Sequence, residues 1–438
     1  MNPELKRNLW LEFSWHRLVA MPAVLALIFL CAALGTRPES DVGVATTGLI
    51  LFVGLTGVWG ARRAAEAVTE EFRSKTWDGQ RMSAIGPWAM TWGKLAGSTS
   101  FAWYGALLCL TVVIAVWPQH WQYPVGEAIA FPVCAAVCVQ ALALIASLMA
   151  TRKGVVRSYA YGIWLILLFL LLSGPGAAAI STAVTQDLSW WGHRVNVLHF
   201  VLGTAAVFAA WAVFGAYRLM CQELQVRTTP WAWAVFVLFL PWYLAGFAPP
   251  PSTLELPPVF LIAGLLVSAA LTYLMLFTEQ TGALVVRRAW VRIQRREWQR
   301  ALEEVPCWPV SLVIAAVFGL LLMLTISQHP GELEGARISS FALLPLLLVL
   351  FLIRDVAIFL IFSFVRAPRR VEATTILYFA LLYLILPGVC KVAGADVLGA
   401  LVLPPLFERP AFANVVLAVH AAIAVGLVVY RWRQSFKT

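Results

Sequence analysis

Residues 45–61 read ATTGLILFVGLTGVWGA and stop at Arg62-Arg63; this change from an apolar run to paired cations decides how the whole chain is read. Such a run approaches the roughly 20 residues a helix needs to cross about 30 Å of hydrocarbon. Eleven more, near 18–36, 97–117, 126–149, 158–178, 195–216, 231–248, 258–277, 308–327, 339–365, 373–390 and 411–430, complete a ladder of twelve. Twenty-six of the thirty-two Lys and Arg residues fall on alternate junctions of that ladder. The opposite loops hold Arg37, Arg194, Arg337, Lys391 and Arg409, and Arg354 stands inside a run. Because Lys and Arg are retained on the cytoplasmic side, the pattern predicts an all-α, multi-pass membrane protein of about twelve transmembrane helices with both termini in the cytoplasm.

Composition points the same way. At 61% hydrophobic and 12% charged residues, too little polar sequence remains for a soluble domain of ordinary size. The net charge of +10 is distributed as topogenic charge, so membrane lipid and not nucleic acid is the expected partner of the basic loops. Tryptophans at run ends, such as Trp117, Trp121, Trp190, Trp191, Trp231 and Trp233, suit interfacial belts. Seven cysteines without a repeated spacing describe neither a disulfide framework nor a zinc site, and no metal ligands are assigned. Gly35-Thr36-Arg37-Pro38 is a poor cleavage site, so the first run reads as an uncleaved span. Phosphate-loop, His-Glu-x-x-His and Gly-x-Ser-x-Gly motifs are absent; no catalytic residue or cofactor is assigned to this chain, and ATP-driven work would come from a partner.

Two cytoplasmic segments carry more specific information. From Asn2-Pro3-Glu4-Leu5-Lys6-Arg7 to Arg17, the spacing puts Leu5, Leu9 and Phe13 on one helical face with Trp10 nearby, which predicts an interfacial helix. Between the second and third runs, Glu70-Glu71-Phe72-Arg73-Ser74-Lys75-Thr76-Trp77 leads through Arg81-Met82-Ser83-Ala84-Ile85-Gly86-Pro87 to Gly93-Lys94-Leu95. The opening Asn-Pro-x-Leu-x-Arg and this Glu-rich turn, Thr, small-apolar-Pro segment and Gly-Lys pair resemble the ABC-2 type transporter permeases. The likeness covers about fifty residues, and Arg81-Met82 stands where that family usually has Leu-Leu.

The resemblance implies a non-enzymatic permease subunit, an exporter more often than an importer, in a bacterial inner membrane. It implies coupling to a separate ATP-binding subunit through 62–96, with Glu70, Glu71, Thr76, Arg81, Pro87 and Lys94 as contact residues and ATP and Mg bound on the partner.

An internal repeat extends this reading. Arg152-Lys153-Gly154-Val155-Val156-Arg157 aligns with Arg366 to Val371 at an offset of 214, and Gln80-Arg81 with Gln299-Arg300 at 219. Two six-span halves, 1–225 and 226–438, would run parallel, and the second would present its own coupling segment at 278–306 with Arg300 and Pro306. One chain would then dock two ATP-binding subunits. Arg354 and Asp355, deep in the tenth run and aligned with Gln140 and Ala141, are candidates for a translocation path; adjacent on a helix, they need not pair with each other. Two rival readings are a membrane enzyme acting on lipid-linked substrates through Glu39 and Asp41, and an ion-coupled transporter using Arg354 and Asp355.

Overall fold

The computed structural model describes residues 2–35, 40–118, 124–152, 187–248, 258–279, 281–328, 343–365, 371–404 and 410–434. They form two compact units, Met1–Leu188 with Arg194–Thr228, and Ser189–His193 with Thr229–Thr438. Ten described helices are long and apolar enough to cross a membrane. Of the two other runs expected to span, 158–178 lies outside the described residues. The run at 231–248 forms Trp231–Ala245, 15 residues, which at 1.5 Å per residue reaches about 22 Å, short of the hydrocarbon thickness.

In the first unit the order is α1 (Pro3–Glu12), α2 (Trp15–Gly35), α3 (Ser40–Val53), a π-helical segment (Gly54–Gly60), α4 (Ala61–Arg73), α5 (Trp77–Arg81), α6 (Pro87–Ala115), α7 (Val125–Arg152) and α8 (Val197–Glu223); a hairpin of β1 (Asp187–Trp190) and β2 (His193–Asn196), whose central residues Ser189–His193 are counted with the second unit, precedes α8 in the chain. The second unit holds α9 (Trp231–Ala245), α10 (Pro258–Thr278), α11 (Ala283–Gln294), α12 (Trp298–Glu304), α13 (Cys307–Gln328), α14 (Leu344–Ser363), α15 (Val371–Ala380), a π-helical segment (Leu381–Ile385), α16 (Leu386–Val392), α17 (Asp396–Val402) and α18 (Pro410–Gln434).

The neighbour order recurs. In the first unit α2 packs on α3, α3 on α6, α6 on α7 and α7 on α8; in the second, α9 packs on α10, α10 on α13, α13 on α14 and α14 on α18. Helices α4 and α11 end in the same turn. Ser74 N–H donates to Glu70 O, Lys75 to Phe72 O and Thr76 to Glu71 O, and the same three bonds join Arg295 to Val291, Arg296 to Ile293 and Glu297 to Arg292. Lys75 and Arg296 sit left-handed, with φ of 57° and 58°, which closes the orphan carbonyls of the last turn. A tryptophan, Trp77 or Trp298, then begins the next short helix. The geometric register is therefore 221, so Gln80 stands opposite Ala301; the 219 suggested by Gln80-Arg81 and Gln299-Arg300 matches letters and not positions.

The second span of each unit differs. From Asp41 to Arg73 the helix is continuous, and Ala61, Ala64 and Ala65 make a small-residue face that lies on Val139 and Ala143 of α7. At the shared register helix α11 carries Val285 and Val286 where α4 has Ala64 and Ala65, and it buries only Ala289, the counterpart of Val68. The chain breaks before it, at Thr281-Gly282, where the Thr281 and Ser363 hydroxyls meet.

Candidate functional site

The loop between the second and third spans folds around a buried group of charges. Asn2 caps α1, accepting from the Glu4 N–H at 3.0 Å, and Pro3 occupies the first helical position. Helix α1 lies along α6 on two glycines one turn apart: a Cβ at Gly93 would meet Glu4 Cβ at 2.6 Å, and one at Gly97 would meet Asn8 Cβ at 2.6 Å. Asn8 Nδ2 donates to Gly93 O at 3.1 Å. The buried face of α1 is thus its polar one, carrying Glu4 and Glu12. Of the apolar residues that suggested an interfacial helix, Leu5, Leu9 and Phe13 are half-buried and only Trp10, 80% exposed, points away from the protein.

At the centre stands Lys94, 1% exposed. Its ammonium donates to Glu4 Oε1 at 3.2 Å, to Gln80 Oε1 at 3.0 Å and to Glu71, and lies 5.1 Å from the centre of the Trp77 ring. Gln80 Nε2 returns to Glu71 Oε1 at 2.7 Å. Arg7 bridges Glu4, at 2.9 Å, and Glu71. Burial works against the Arg7 charge, yet Glu71 and Glu4 outweigh it and hold its pKa above the ordinary value. Two carboxylates and two cations make the group neutral, and it joins α1, α4, α5 and α6. Losing one partner would strand a buried charge, at a cost of about 3–5 kcal/mol.

Of the residues expected in this segment, Glu71 and Lys94 meet here. Glu70 is exposed, and Thr76 accompanies Ser74 at the turn. Arg81 donates to the last carbonyls of α8, at Glu223 O, 3.0 Å away, and Pro87 opens α6. Arg300 makes a surface pair with Glu297 at 3.2 Å, and Pro306 precedes α13. Glu4, Arg7, Gln80 and Trp77 were not anticipated as partners. The sequence held one hint, Gly93 and Gly97 flanking Lys94 at helical spacing.

The intramembrane candidates occupy separate units. Gln140 on α7 donates to Thr56 O at 2.9 Å in the π-helical segment, and accepts from Trp103 Nε1 at 2.9 Å. It thereby satisfies a carbonyl within a helix whose regular bonding is interrupted. In the second unit Arg354 and Asp355 do pair, contrary to what their angular separation suggests: Nε reaches Asp355 Oδ1 at 3.1 Å and Nη2 lies 3.1 Å from the same oxygen. The long side chain folds back across the helix surface to reach it. Tyr273 and Tyr383 donate to Asp355 Oδ2 at 2.8 and 2.6 Å. The guanidinium lies 4.8 Å from the Phe351 ring and 5.0 Å from the Tyr383 ring. Among the described residues, Arg354 Nη1 has no partner. Both tyrosines also line an apolar cavity of about 330 Å³ with Leu265, Leu352 and Leu403.

Glu39 lies outside the described residues, and Asp41 is exposed in the first turn of α3. Among the described residues no cluster of three His, Cys, Asp or Glu is placed to hold a metal. Comparison with protein-family models, curated proteins and solved structures found no match to this chain.

Proposed function

We propose that this chain is the membrane-spanning permease of an ABC-2 type exporter in a bacterial inner membrane, driven by a separately encoded ATP-binding subunit. The observation that carries the reading is the neutral Glu4–Arg7–Glu71–Lys94 network. A surface helix passes a displacement to a span only if the two move together, and here α4 and α5 are tied to α1 and to α6 through buried charge pairs. Closure of two ATP-binding subunits, with ATP and Mg between them, would press on 61–81 and 283–304 and tilt α6 and α13. A two-state change of this kind needs contacts that differ between states, and nucleotide-dependent docking supplies them. The recurring neighbour order favours two copies of a six-span half in one chain, and so two ATP-binding subunits per permease.

Affinity purification from native membranes tests the proposal. An ATPase should copurify, and native mass spectrometry should count two of them against one permease chain. Recovery of the permease without an ATPase, together with transport that persists when ATP is removed, would sink it.

A second reading, ion-coupled transport, is favoured by the Arg354–Asp355–Tyr273–Tyr383 group and its unpartnered guanidinium nitrogen beside a cavity. Under that reading Asp355→Asn abolishes transport while assembly is kept, and a protonophore stops transport at constant ATP. Transport indifferent to the protonophore removes it.

A further inference from the structure

A second cavity, of about 460 Å³, lies in the first unit among the end of α1, the start of α2, the π-helical segment, α4 and α6. Its chemistry is graded. At one end stand Arg17, Arg63 and Glu12; from Arg17 the wall continues along one face of α2 through Ala20, Met21 and Val24 and is completed by the Trp59 and Phe101 rings. Arg17 to Val24 spans seven residues, or about 10 Å of helix axis.

The two guanidiniums share one lining carboxylate. Arg63 is bound to Glu12, with Glu66 Oε2 3.4 Å from its Nη1, but among the described residues its Nε has no partner. Arg17 is 56% exposed, and its Nη1 stands 3.6 Å from Glu12 Oε2, beyond a charge-assisted hydrogen bond. Among the lining side chains the cations outnumber the carboxylates by two to one, and Arg17, whose Nη1 donates to the Glu12 backbone O at 3.4 Å, is the one without a hydrogen-bonded carboxylate. Val24, Leu27 and Leu30 along α2 are all more than half exposed, so the apolar end of the cavity opens where acyl chains would lie. Basic pockets between spans at the membrane surface select anionic headgroups.

We propose that this cavity binds one anionic phospholipid, with its phosphate on Arg17 and Arg63 and an acyl chain along Ala20, Met21 and Val24. The lipid would hold the junction of α1 and α2 against α4 and α6. The proposal stands independently of whether the chain is a permease.

Native mass spectrometry of the purified full chain, offered dioleoyl phosphatidylglycerol and dioleoyl phosphatidylcholine in equal amounts, tests it. Wild type should retain phosphatidylglycerol in preference to phosphatidylcholine. R17Q/R63Q should bind it on the order of tenfold more weakly, whereas R288Q/R433Q, which removes equal charge from exposed positions of the second unit, should bind as wild type does. Ala20→Phe alters an exposed position, keeps both arginines and fills the apolar wall; it should lose the lipid too. Equal retention of the two lipids, equal losses in the two arginine pairs, or full retention by Ala20→Phe would each overturn the proposal. So would displacement of the lipid by inorganic phosphate at similar concentration, which would mark a headgroup-only anion site.

Discussion

The helix–turn–helix segments after the second span of each unit share a backbone and differ in electrostatics. Both follow an amphipathic helix with a left-handed residue, Lys75 or Arg296, and both start the next helix on tryptophan, but α4 balances three Arg with three Glu whereas α11 carries three Arg and no acid. Position 71 of the first is Glu, drawn inward by Lys94. Its counterpart at the shared register is Arg292, which pairs with Glu304 where both side chains are partly exposed. The first segment is fastened to α6 through a buried side-chain network. The second meets α13 through Glu279, which accepts the Cys307 N–H at 3.0 and 2.8 Å and the Trp308 N–H at 3.4 Å and so caps the helix start. One backbone motif thus serves a stiff attachment in one unit and a looser one in the other. A partner pressing equally on both would move them unequally.

The comparison can be broken most sharply at Lys94. Lys94→Met leaves Glu4 and Glu71 buried without their cation, and we expect a loss of about 3–5 kcal/mol, read as a lowered unfolding temperature in detergent. Its absence would mean that the network is solvated and fastens nothing. Gly97→Ala forces a methyl group against Asn8 Cβ and should cost about 1–3 kcal/mol. Proteolysis within α1 should rise in parallel, because α1 would lift from α6; unchanged proteolysis would mean that the glycine contact does not hold the helix.

Smaller effects are expected in the second unit. Glu279→Ala removes the cap of α13 and should cost about 1 kcal/mol, with hydrogen exchange quickening first at Cys307 and Trp308. Arg292→Gln breaks a partly exposed pair and should change stability by no more than about 1 kcal/mol. A penalty there as large as that of Lys94→Met would show the two attachments to be equally stiff, and the asymmetry would fall.

Much of the architecture was legible without coordinates, because membrane spans are written in contiguous sequence. An apolar stretch of about 20 residues has few ways to satisfy its backbone in hydrocarbon other than as a helix, so ten of the expected runs appear as helices of spanning length. The turn at Lys75 was less legible. Neither Lys75 nor Arg296 is the glycine that usually closes such a helix, and letter matching placed the repeat two positions away from its true register. The candidate site was legible in part: Glu71 and Lys94 were singled out, while Glu4, Arg7 and Gln80 were not assigned to them.

The sequence alone determined that this is a helical chain with many stretches long and apolar enough to cross a membrane, since hydropathy acts locally and needs no partner. Tertiary structure alone decided which charges neutralise which. Glu4 reaches Lys94 across 90 positions only because Gly93 and Gly97 let two helix backbones approach. Arg354 turns back on its neighbour Asp355, with Tyr273 and Tyr383 completing the carboxylate's hydrogen bonds from other helices. The same holds for the second span, continuous in one unit and broken in the other: Ala61, Ala64 and Ala65 of the continuous one are received by Val139 and Ala143 of α7.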